Sequence, residues 1–129
     1  MKVINALEGR KDPGYEPPYN ITWGVDRGST GTGDMAVGRT IIPPGGKNKL
    51  HYHTRCDTCY YVIRGPIHVF IQEGGGLTKH TVPPGHFVYH PRNEIHCQEN
   101  PSQTGEAEMI FVYGGVGHRD EGGTVFVEP

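Results

Sequence analysis

The chain has 129 residues, 12 Lys plus Arg against 14 Asp plus Glu, and a formal charge of −2. It is about one domain's worth of protein, and its charge gives no electrostatic basis for gripping nucleic acid or an anionic membrane. The 20 glycines and 11 prolines approach a disordered composition, but strand-like apolar runs recur from end to end, so they are read as turns.

No window approaches the roughly 18 apolar residues that span a bilayer, and the opening MKVINALEGRKDPGYEPP carries no leader-like apolar stretch. A cytoplasmic protein with a small-molecule partner is expected, folded as one domain over residues 1–129. The first twenty or so residues, with Pro13, Pro17 and Pro18, read as a short arm that packs across the body of the fold or onto a second subunit.

The periodicity predicts strands over 21–25 and 36–42, then a turn at Pro43-Pro44-Gly45-Gly46. The next predicted strand, 50–53, holds His51 and His53. Residues two apart on a strand share a face, so these two imidazoles project side by side and form a metal clamp. Cys56 and Cys59 follow as Cys-x-x-Cys. Zinc would want two more soft ligands where only Cys97 is left, so the thiols are read as reduced packing residues.

Strand 59–63 continues a face on which Thr58, Tyr60 and Val62 lie together. A phenol at Tyr60 near a cation can act as acid, base or substrate anchor. Turns at Arg64-Gly65-Pro66, Glu73-Gly74-Gly75-Gly76 and Pro83-Pro84-Gly85 separate predicted strands 67–72, 78–82 and 86–89. Strand 95–98 carries His96, expected to face the first histidine pair across the lumen, with Cys97 turned away. Strands 108–113 and 124–127 complete the set. Without any sustained helical period, the reading is all-β, a barrel or jelly roll with a short N-terminal arm.

Two segments resemble the paired motifs of the cupin family. Gly45, His51, His53 and Gly65 fall in register with the first motif, and Gly85, Pro91, His96 and Asn100 with the second, the likeness covering about residues 36–115. The resemblance implies a cupin β-barrel, a frequent homodimer, and one divalent metal per chain on His51, His53 and His96. Two positions depart from it. Thr58 stands where the family has glutamate, with Asp57 just before it, and Asn93 replaces a glycine. Asn tolerates a left-handed backbone, whereas a neutral hydroxyl is a weak ligand. Asp57 could supply the carboxylate only through a bulge.

In cupins similar around His-Tyr-His, the dimethylsulfoniopropionate lyases, a tyrosine at the position of Tyr60 serves as a base. His68, His80, His86, His90 and His118 lie outside the ligand positions and are given structural or solvent-facing roles, with His86 and His90 open as partners of ligating rings.

A three-histidine face favours an anionic chelating substrate. With Fe(II) it suggests dioxygenase-like chemistry; with Zn, Ni or Mn it suggests a lyase, isomerase or cyclase; a non-catalytic metal- or ligand-binding module is the third alternative.

Overall fold

The computed structural model of the chain describes residues 1–127. Its strands are β1 (Arg10–Lys11), β2 (Asn20–Val25), β3 (Met35–Ile42), β4 (His51–His53), β5 (Asp57–Arg64), β6 (Ile67–Glu73), β7 (Gly76–Val82), β8 (Phe87–His90), β9 (His96–Glu99), β10 (Ala107–Gly114) and β11 (Thr124–Phe126). Helical structure among the described residues is one turn, α1 (Arg27–Thr30), and a 3₁₀ segment at Arg119–Glu121. Asp26 caps α1, its carboxylate accepting from the Ser29 N–H while the Ser29 hydroxyl accepts from the Asp26 N–H.

The strands form two antiparallel sheets, ordered β1-β2-β3-β10-β5-β8 and β11-β4-β9-β6-β7. Alternation decides the core. Ala36, Gly38, Thr40 and Ile42 of β3, Thr58, Tyr60 and Val62 of β5, and Ala107, Met109, Phe111 and Tyr113 of β10 all point inward. Trp23 meets Phe111 edge-on with ring centroids 4.9 Å apart, an arrangement the ring quadrupoles favour. Gly38 sits opposite Phe111 in the ladder, and a Cβ there would lie 2.6 Å from the Phe111 ring. The bulk of Phe111 therefore requires glycine across from it.

The expected strands are all present with ends displaced by one or two residues. The arm adds a short strand of its own, β1, which pairs with β2. It packs across the barrel. Asp12 accepts from the Trp23 indole N–H at 3.0 Å, and Tyr19 is fully buried, its hydroxyl donating to the Gln98 carbonyl at 2.6 Å.

Candidate metal centre

His51 and His53 leave β4 on one face, as the two-residue period requires, and both are buried. The register of β4 against β9 sets His51 directly opposite His96. His96 therefore does not face the pair across the lumen, as the sequence suggested. It stands beside them on the neighbouring strand, because the second motif crosses from β8 in one sheet to β9 in the other. One ring nitrogen from each histidine lies within 4.8 Å of the others.

The outer nitrogens are all engaged. His51 Nδ1 donates to the Lys49 carbonyl at 2.6 Å, His96 Nδ1 to the Glu94 carbonyl at 2.9 Å, and His53 Nδ1 lies 2.9 Å from the Thr124 hydroxyl. An imidazole that gives its proton at Nδ1 keeps a lone pair on Nε2. Burial, with the neighbouring histidines second, holds the His53 ring well below the usual range, at about 3, and the same causes take His96 to about 2. Rings with the outer nitrogen fixed and the inner one turned to a common point are the donor set a divalent cation requires. The residues present fit such an ion.

The cavity in front of the triad has a volume of about 30 Å³, walled by Thr58, Tyr60 and Gln98 and by the apolar Ile21, Met109 and Phe111. Thr58 Oγ1 is buried without a hydrogen-bond partner among the described residues. Asp57 is not a ligand: it points to the exterior, accepting from the Tyr89 hydroxyl at 2.9 Å and the Arg92 N–H at 3.0 Å. β5 carries no bulge there, so Asp57 and Thr58 keep opposite faces. Asn93 adopts φ 68°, the left-handed geometry of the glycine it replaces, and its N–H donates to the His53 carbonyl at 2.8 Å. Asn100 is buried and donates to the Ile42 and Gly105 carbonyls, a structural role.

Tyr60 faces the cavity. Its hydroxyl donates to His90 Nε2 at 2.9 Å and accepts from Gln98 Nε2 at 3.3 Å, while His90 Nδ1 donates to Glu94 Oε1 at 2.7 Å. Burial pushes the Tyr60 phenol far above its ordinary range, so the hydroxyl keeps its proton. His86 is exposed, and Cys56, Cys59 and Cys97 are free thiols apart from the triad.

Sequence reasoning missed Glu16, Asn48, Gln98 and Thr124 around the cavity, and gave His90 and Glu94 no definite part in it. Glu16 had one available signal. A family site short of its glutamate invites a search for a carboxylate elsewhere, and Tyr-Glu-Pro-Pro-Tyr is a stiffened stretch able to present one.

Residues 38–113 match the family model described as "Cupin domain". Germin-like protein 3-7 of Oryza sativa subsp. japonica is 33% identical over 76 residues, 58% of this chain, and the chain spans 33% of that relative's length. A solved oxalate oxidase is 26% identical with a TM-score of 0.74, the match covering 97% of this chain and 63% of that one. Oxalate decarboxylase from Bacillus subtilis, 20% identical with a TM-score of 0.75, matches over 98% of this chain and 33% of its own. The polyketide cyclase RemF from Streptomyces resistomycificus, 17% identical with a TM-score of 0.73, matches over 88% of this chain and 79% of its own. These last two are likenesses of fold.

Proposed function

The chain belongs to the cupin family, and from that premise we propose that it is a metal-dependent enzyme acting on a small anionic chelator, with Fe(II) oxygenase-type chemistry as the leading form. The observation that carries the reading is the convergence of three buried imidazoles on one cavity. A divalent ion held by His51, His53 and His96 would supply a Lewis acid for two substrate oxygens and, as Fe(II), electrons for dioxygen.

The cavity of about 30 Å³ has room for little more than a water or two, which favours the smallest chelators, such as a two-carbon dicarboxylate or a small 2-oxo acid, over an aromatic one. The similarity to oxalate oxidase, also solved with the substrate analogue glycolate, points the same way. A groove of about 190 Å³ on the arm side shares Glu16 with the cavity, and its one cation among the described residues, Lys49, could meet an anion on the way in. Ile21, Met109 and Phe111 limit water on the inner wall. Tyr60 holds a proton at its hydroxyl, and His90 and Glu94 connect that oxygen toward the surface.

A Zn-, Mn- or Ni-dependent lyase or decarboxylase is the second reading, favoured by one observation: a phenol that burial keeps protonated can deliver a proton to a carbanionic product.

The test is elemental analysis of protein purified without chelator or nickel resin, followed by oxygen uptake and CO₂ release with oxalate, glycolate and 2-oxo acids. Oxygen consumption by the Fe(II)-loaded protein supports the first form, and oxygen-independent CO₂ release the second. Full metal occupancy in His96→Ala would sink the site assignment.

A further inference from the structure

We propose that Glu16, on the N-terminal arm, is the anionic ligand that completes the metal centre, a role that rests on the reading of His51, His53 and His96 as ligands. The family's glutamate position on β5 holds Thr58, whose hydroxyl reaches the cavity and finds no partner among the described residues. A carboxylate enters the same cavity from elsewhere. Glu16 Oε1 lies 4.0 Å from His51 Nε2, at the edge of the group of three imidazole nitrogens and outside their mutual 4.8 Å.

The surroundings of Glu16 are those of a ligand rather than of a surface acid. Its side chain is 12% exposed, and His51 is the only basic side chain within 4.0 Å of it among the described residues. A nearly buried carboxylate without a cation is costly, and a divalent ion at the triad would neutralise it. Among the described residues its one side-chain hydrogen bond comes from Asn48 Nδ2 at 3.2 Å, and Asn48 is itself fixed by donating to Gln98 Oε1 at 2.9 Å.

The backbone around Glu16 is held at both sides. Tyr15 shares hydrogen bonds with the Tyr113 and Thr124 hydroxyls at 2.8 and 3.1 Å, and Tyr19 is tied to the Gln98 carbonyl. The Tyr19 N–H also donates to the Glu16 carbonyl at 2.8 Å, closing a turn around Pro17 and Pro18. Thr124, the partner of Tyr15, is also the partner of His53 Nδ1. The arm that presents the carboxylate therefore contacts the same group that orients one imidazole. The carboxylate has moved from the sheet to a segment packed across it, and with it bound the centre carries one net positive charge, still attractive to an anion.

The experiment is a chelator-competition titration of the full chain with Zn(II) and Co(II), with the Co(II) visible spectrum recorded at saturation. Glu16→Gln keeps an acceptor for Asn48, and circular dichroism and thermal unfolding check that the fold is kept. The expected result is a loss of affinity at least as large as the roughly 10- to 100-fold that removing an outer-shell partner costs, with a changed Co(II) spectrum. Adding Thr58→Glu to the Glu16→Gln chain should restore both. Unchanged affinity and spectrum in Glu16→Gln, with His96→Ala abolishing binding, would overturn the role of Glu16 and leave the triad standing. A native chain that binds neither ion would overturn both readings.

Discussion

The imidazole of His90 lies flat on that of His96, with ring centroids 3.8 Å apart and planes 11° from parallel. The contact joins the two sheets, since His90 ends β8 and His96 begins β9. It also fixes the plane in which His96 can offer its inner nitrogen.

His90→Ala should therefore weaken metal binding by roughly 10- to 100-fold without abolishing it, the cost typical of losing a group that orients a ligand. His96→Ala should abolish it. Zn(II) competition titrations on the two variants separate these outcomes, and equal loss in both would make His90 a ligand instead.

Tyr60→Phe removes a hydroxyl held by His90 and Gln98 while keeping the ring that fills the wall. Metal content should be unchanged and turnover should fall by about 10²- to 10⁴-fold, the range for loss of a general acid or base. Steady-state rates alongside elemental analysis check this. Unaltered turnover would return Tyr60 to a packing role.

Gly38→Ala places a methyl 2.6 Å from the Phe111 ring and 3.0 Å from the Thr22 carbonyl. Overpacking of a filled core typically costs about 1–3 kcal/mol, and urea unfolding should show a loss of that size. Combining it with Phe111→Leu should recover part of the loss, because the obstruction is the ring itself.

Asp26 gives a pH dependence. Burial alone would raise its carboxyl, but hydrogen bonds from Arg10 at 2.7 Å and from the Ser29 N–H at 3.0 Å prevail and hold it below its ordinary 3.8. A depressed value means the folded state prefers the charged form. The stabilisation is therefore complete above the ordinary value and drains away as pH falls through the lower, folded one. Asp26→Asn keeps the cap but loses the charge, so it should be about 1–2 kcal/mol less stable than the native chain at pH 7. That gap should close in strong acid. Denaturant titrations at pH 7 and near pH 2 test it, and a gap that widens in acid would contradict the assignment.

Much of the candidate site was legible because strand periodicity is a local rule. His51 and His53 had to share a face once their segment was a strand, and Thr58, Tyr60 and Val62 likewise. Asn93 could be read as a left-handed residue from its side chain alone. The ladder register could not be read, and it put His96 beside His51 rather than opposite the pair. A crossing between sheets is a long-range choice that composition and spacing leave open.

By itself the sequence determined the all-β character, the strand positions and the inward set of histidines, because alternation and turn chemistry act within a few residues. The tertiary structure alone decided that Glu16 enters the cavity, that Asp57 turns out to Arg92, and that His90 stacks on His96. Each of those depends on segments distant in the chain meeting in space, where burial and the need to satisfy polar groups select one arrangement from many that the local pattern permits.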